Sequence, residues 1–128
     1  MKKRHFLALG GSALLSGLTP HTTFAQSKFP ERPIRVIVPF APAGDGDIIG
    51  RLWVKYAMAH TGANFVVDNR AGAGGAIGAA EASRARADGY TLLLGTSSTQ
   101  IINPLASGTT SYDAIKDFSL VGMVSINP

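Results

Sequence analysis

The sequence predicts an α/β fold built on a parallel sheet, and three observations lead there. Three short runs rich in β-branched residues or leucine, at 34–38, 64–68 and 90–94, alternate with two stretches of helical character at 48–61 and 76–85. Each connection is long enough to hold a crossover helix, as parallel pairing requires. The third observation concerns the strand ends: two strands empty into Gly-rich turns and the third into a run of hydroxyl residues. In such sheets ligands bind beyond the carboxyl ends of the strands, where all three of these segments lie.

The chain has 128 residues, of which 45% are hydrophobic and 16% charged, the composition of a globular protein. Residues 1–25 read as a secretory signal: a basic start with Lys2, Lys3 and Arg4, an apolar run from Phe6 to Leu18, and a polar end at Thr22-Thr23-Phe24-Ala25 with cleavage expected after Ala25. The apolar run is too short to span a bilayer. Lys3-Arg4-His5-Phe6-Leu7 resembles a twin-arginine export signal with Lys in the first position. The net charge of +4 comes mostly from this label, because residues 26–128 hold nine basic residues against eight acidic ones. Nucleic-acid binding therefore loses its main support. The absence of cysteine removes disulfides, thiolate metal sites, a cysteine nucleophile and a cysteine lipid anchor together. Residues 26–128 are expected to be soluble in an extracytoplasmic compartment, the periplasm.

In order along the chain, 26–32 is a polar lead-in, with Phe29 expected to tuck against the first strand. Ile34-Arg35-Val36-Ile37-Val38 is a buried strand that runs into Pro39-Phe40-Ala41-Pro42-Ala43-Gly44-Asp45-Gly46-Asp47. Asp47 is placed to cap the helix at 48–61 by accepting N–H groups of its first turn. Ile48, Leu52 and Tyr56, with Ile49, Trp53 and Ala57, form one broad apolar face, and Gly62 is the expected C-cap. Asn64-Phe65-Val66-Val67-Asp68 is the second strand, ended by Asn69-Arg70. Ala71-Gly72-Ala73-Gly74-Gly75 opens an Ala-rich helix. Ala87-Asp88-Gly89 turns the chain into Tyr90-Thr91-Leu92-Leu93-Leu94, a strand apolar enough to be buried on both faces. Beyond Thr99, turns are expected at Asn103-Pro104 and Ser107-Gly108, a short helix within 112–118, and a fourth strand at 120–126.

The loop after the first strand is the leading ligand site, because a helix start presents backbone N–H groups and the positive end of the helix dipole. The 72–78 run approaches a dinucleotide fingerprint, but Ile77 stands where the third glycine is needed, and no acidic residue ends the following strand. Asp45 and Asp47 make a weak metal or acid/base pair without a nearby histidine or third carboxylate. His60 is expected to be solvated near a helix end. Ser97-Ser98 has no nucleophile-elbow context. No constellation demands catalysis, so a binding protein without cofactor or metal is favoured over an enzyme.

Several ordered blocks together resemble a known family. They are Pro33-Ile34-Arg35-Val36-Ile37-Val38-Pro39-Phe40-Ala41-Pro42 with Gly44 and Asp47, Asn69-Arg70 with Gly72-Ala73-Gly74-Gly75, Asp88-Gly89-Tyr90-Thr91-Leu92-Leu93-Leu94-Gly95, Ile102-Asn103-Pro104, and Asp117-Phe118. This pattern is similar to that of Bug-type extracytoplasmic solute receptors of tripartite tricarboxylate transporters, and it covers nearly all of the chain after the signal. The resemblance implies a periplasmic binding protein of two lobes (type II-like) that closes on a small carboxylate-containing metabolite. It would act as a monomer and dock on transporter membrane subunits. By matching motif it implicates Ala43, Gly44, Asp45, Gly46 and Asp47 in ligand binding through backbone groups and water, together with Gly74, Gly75, Ser97 and Ser98.

Three departures from the family pattern stand out. The family usually has glycine at Ala43 and a small uncharged residue at Asp45. Its members are also considerably longer, so residues 26–128 are expected to be an incomplete lobe, with the second lobe and the returning segment absent. The alternatives are an α/β nucleotide-binding enzyme domain built on the 72–78 turn, or a non-functional truncated gene product.

Overall fold

The computed structural model describes residues 28–107 and 110–125. The signal-peptide reading of residues 1–25 lies outside the described residues, as does Gly108 of the second expected turn. Three strands, β1 (Ile34–Val38), β2 (Phe65–Asn69) and β3 (Thr91–Leu93), form a parallel sheet in the order β2-β1-β3. The register pairs Val36 with Val67 on one side and with Leu92 on the other. β1 is central and its side chains are nearly all buried; Ile37 and Val38 are fully enclosed.

Strand alternation divides the core between the two faces. Val36 and Val38, with Phe65, Val67, Leu92 and Leu94, pack against Val54 and Trp53 of α1 (Asp45–Thr61). On the other face Leu93 meets Ala76, Ala79 and Ala80 of α2 (Ala76–Ser83), together with Tyr112, Ala114 and Phe118. Here Arg35 pairs with Asp68 and Glu81, and Arg70 with the same two carboxylates, tying β1, β2 and α2 together. A helix on each face of a parallel sheet is the predicted α/β arrangement.

Several expectations need correction. α1 begins at Asp45 with Gly44 as N-cap, not at residue 48. Its apolar face is not one broad surface: Asp47, Gly50 and Val54 face the sheet, whereas Ile48, Leu52 and Tyr56 are more than half exposed. At about 100° per residue the two sets lie nearly opposite each other. The small side of the helix docks because Gly50 lets α1 approach Val38; a Cβ there would lie 3.0 Å from Val38 Cγ2. Gly62 does cap α1, in the left-handed region with φ 68°, donating its N–H to Met58 O.

β3 is shorter than expected and half-buried, because it is an edge strand in this sheet. Phe29 packs edge-on against Tyr90 at a centroid distance of 4.9 Å, beside β3 instead of β1. Residues 98–107, read as loop and turns, are helical: a π-helical turn (Ser98–Ile102) leads into α3 (Asn103–Ser107). Pro104 lies inside this continuous helical run, where it has no N–H to return to Thr99 O, and Tyr112 Oη donates to that carbonyl instead. Residues 112–118 form a turn, not a helix, and Asp113 Oδ1 accepts the N–H groups of Ile115 and Lys116. Residues 120–125 pair with no strand among the described residues, and Leu120 is 93% exposed; Ile126 of the expected strand lies outside them. Apolar β-type composition makes a strand only where a neighbour offers its ladder.

Candidate ligand-binding loops

The loop between β1 and α1 begins with Pro39, which is fully buried. Ala43 adopts φ 64°, the left-handed region that an L-residue occupies at a cost. Gly44 follows as the N-cap, its carbonyl accepting the N–H groups of Asp47 and Ile48. The N–H groups of Asp45 and Gly46 find no acceptor among the described residues, as expected for the first turn of a helix. Asp45 is exposed, and its carboxylate makes no ion pair among the described residues.

Asp47 behaves differently from the expected cap. Asp47 is 3% exposed, and its carboxylate turns back past the helix start to accept the N–H of Ala43 at 2.9 Å. It also accepts from Arg51 Nε at 2.8 Å and from Asn69 Nδ2 at 2.9 Å. The bond from Arg51, then those from Ala43 and Asn69, hold the Asp47 pKa down at about 2. A residue at the third helical position can reach back over the N-terminus in this way, in the manner of a capping box.

The second loop is drawn against the first. Asn69 Nδ2 also donates to Phe40 O at 3.1 Å. Gly75, at φ 91°, sits where a Cβ would lie 2.7 Å from Thr99 Cγ2 and 3.3 Å from Pro39 Cβ. Three segments therefore meet at Gly75, and any side chain there would push them apart. Asn103 Nδ2 donates to Gly74 O at 3.1 Å, fixing the third segment to the second. Thr99 is fully buried; its hydroxyl accepts the N–H of Thr96 and donates to Thr96 O, while its own carbonyl accepts from Tyr112 Oη.

Of the nine residues singled out in the sequence, Gly74 and Gly75 thus lie beside the first loop. Ser97 and Ser98 precede the buried Thr99 at the same carboxyl edge of the sheet, Ser97 exposed and Ser98 partly so. Arg51, Asn69, Thr99, Asn103 and Tyr112 were not singled out, yet they make the bonds that hold these loops. The spacing of Asp47 and Arg51 at i and i+4 was a readable signal. The bonds of Asn69 and Asn103 across the sheet edge had none.

Among the described residues there is no cluster of metal-ligating side chains, and no helix is long and apolar enough to cross a membrane. A groove of about 470 Å³ between α1 and β2 is lined by Arg51, Val54, Lys55, Met58, Phe65 and Val67, and through Arg51 it borders the first loop.

Comparison with known proteins fits this architecture. Residues 49–128 match the family described as "Tripartite tricarboxylate transporter family receptor". The protein BugT of Bordetella pertussis is 42% identical over 105 residues, which is 78% of this chain and 31% of BugT. Among solved structures, MatC from Rhodopseudomonas palustris with bound malate superposes with a TM-score of 0.67 at 33% identity, over 70% of this chain and 31% of that one. An R. palustris protein with adipate superposes with a TM-score of 0.63 at 37% identity, over 67% and 29% of the two chains. The chain thus spans about a third of the length of the relatives it matches.

Proposed function

The chain belongs to the tripartite tricarboxylate transporter receptor family, and on that premise we propose that it carries the ligand-accepting loops of a periplasmic solute receptor for a small carboxylate. The observation that carries this reading is the pair of N–H groups on Asp45 and Gly46 without an acceptor among the described residues, at the positive end of a 17-residue helix. Two such donors suit the two oxygens of a carboxylate. The neighbours with malate and adipate support the same ligand class. Ala43 and Gly44 shape the approach, and Gly74, Gly75, Ser97 and Ser98 form the adjoining rim. In this reading the protein binds and releases its ligand unchanged, without cofactor, and hands it to transporter membrane subunits on which it docks as a monomer after export by a cleaved signal.

Thermal melting with malate, adipate and NAD tests the proposal. A ligand that binds only the folded chain raises Tm in a concentration-dependent way. Malate or adipate is expected to do so, and Gly44→Leu is expected to remove the shift by covering the amides. A rise with NAD alone, or a malate response unaltered in Gly44→Leu, would refute it.

A further inference from the structure

We infer that Asp47 is a positioning residue, one that sets the shape of the ligand-accepting loop and does not itself touch the ligand. The role of that loop rests on the function proposed above. The clamp itself rests on bonds already described.

Both ends of the Phe40 to Ala43 segment are tied to one side-chain pair. At its start, Phe40 O accepts from Asn69 Nδ2 at 3.1 Å. At its end, the Ala43 N–H donates to Asp47 Oδ2 at 2.9 Å. The pair is closed by Asn69 Nδ2 to Asp47 Oδ1 at 2.9 Å, so β2 and α1 together grip the loop. The residue whose N–H is gripped is the one at φ 64°. A conformation unfavourable for alanine is thus held by a charge-assisted hydrogen bond at that same residue.

The arrangement also answers how a carboxylate can stand beside an anion site. Both Asp47 oxygens are occupied, the side chain is buried, and Arg51 at 2.8 Å offsets its charge. The Asp45 and Gly46 N–H groups have no acceptor among the described residues. Asp47 therefore shapes the donors without competing for them.

Amide hydrogen exchange of the full chain, followed residue by residue by NMR at neutral pH, distinguishes this clamp from a general contribution to stability. Asp47→Ala is expected to speed exchange of the Ala43 amide at least tenfold while Val36 and Val54 change little. Asp47→Asn, which keeps one acceptor oxygen, is expected to fall between. An Ala43 amide that exchanges as before in Asp47→Ala would overturn the proposal. A uniform loss of protection across Ala43, Val36 and Val54 would also overturn it, since Asp47 would then only stabilise the fold. Should Asp47→Ala fail to fold, Asn69→Ala decides: faster exchange confined to the loop supports the clamp, and none refutes it. Malate binding by the wild-type chain is measured in parallel, with a loss of at least tenfold expected in Asp47→Ala. A wild-type chain that ignores malate counts against the proposed function, whereas the Ala43 amide judges the clamp alone.

Discussion

Replacing Ala43 with glycine should make this protein more stable, the reverse of what glycine does at most positions. Ala43 sits at φ 64°, where a Cβ crowds the following carbonyl and costs about 1–2 kcal/mol. Glycine removes that cost but adds freedom to the unfolded chain, which returns roughly 0.4–1 kcal/mol of it. The net expectation is a gain of about 0.5–1 kcal/mol. For a domain of this size that is a rise in Tm of about 2–8 °C. The assay is a thermal melt by circular dichroism, with Ala59→Gly as control. Ala59 is exposed on α1, so the same substitution there should cost about 1 kcal/mol. The two variants should move Tm in opposite directions. A fall for Ala43→Gly comparable to that of Ala59→Gly would refute a left-handed Ala43, and with it the description of this loop.

Other consequences follow from packing and charge. Gly78→Ala should destabilise by about 1–2 kcal/mol in urea unfolding, because the new Cβ would lie 2.8 Å from Arg70 O and 3.0 Å from Pro39 Cα, outweighing alanine's better helix propensity. Tyr112→Phe should cost about 1–2 kcal/mol by leaving the Thr99 carbonyl without its partner, measured the same way. Acid titration should show a loss of stability below about pH 4. Asp47 is held at about 2 by Arg51, Ala43 and Asn69, and the N–H groups of Lys116 and Ile115 depress Asp113. Burial works to raise Asp68, but Arg35 and Arg70 outweigh it and leave it depressed as well. A carboxylate with a lowered folded pKa contributes stability that is present above its unfolded pKa and lost as pH falls through the folded one. The acid midpoint followed by fluorescence of Trp53 should therefore move to higher pH in Asp68→Asn, which removes one such group.

The parallel sheet was legible because its signals are local. Ile34 to Val38 is β-branched throughout but for Arg35, and Gly62 closes α1 at the position where a left-handed residue was needed. The loop at 39–47 was legible for the same reason, since a strand, a Gly-containing turn and a helix start follow one another in sequence. What was not legible depends on partners distant in the chain. The rotation of α1 is set by Gly50 against Val38 and by Asp47 reaching Asn69, so the apolar stripe of Ile48, Leu52 and Tyr56 was assigned to the wrong side. Residues 120–125 have strand composition but no ladder to join among the described residues. Asp47 was read as a cap for the first turn of α1, but the donor it accepts from, Ala43 N–H, lies before the helix.

The central claim, that a carboxylate is held by the amides at the start of α1, is tested most directly by titrating the isotope-labelled chain with malate and following its amide resonances by NMR. The account predicts that the largest shifts fall on Asp45 and Gly46, with smaller ones at Gly74, Gly75, Ser97 and Ser98. Shifts centred on Lys55, Met58 and Phe65 of the groove between α1 and β2, or no response to millimolar malate, would contradict it.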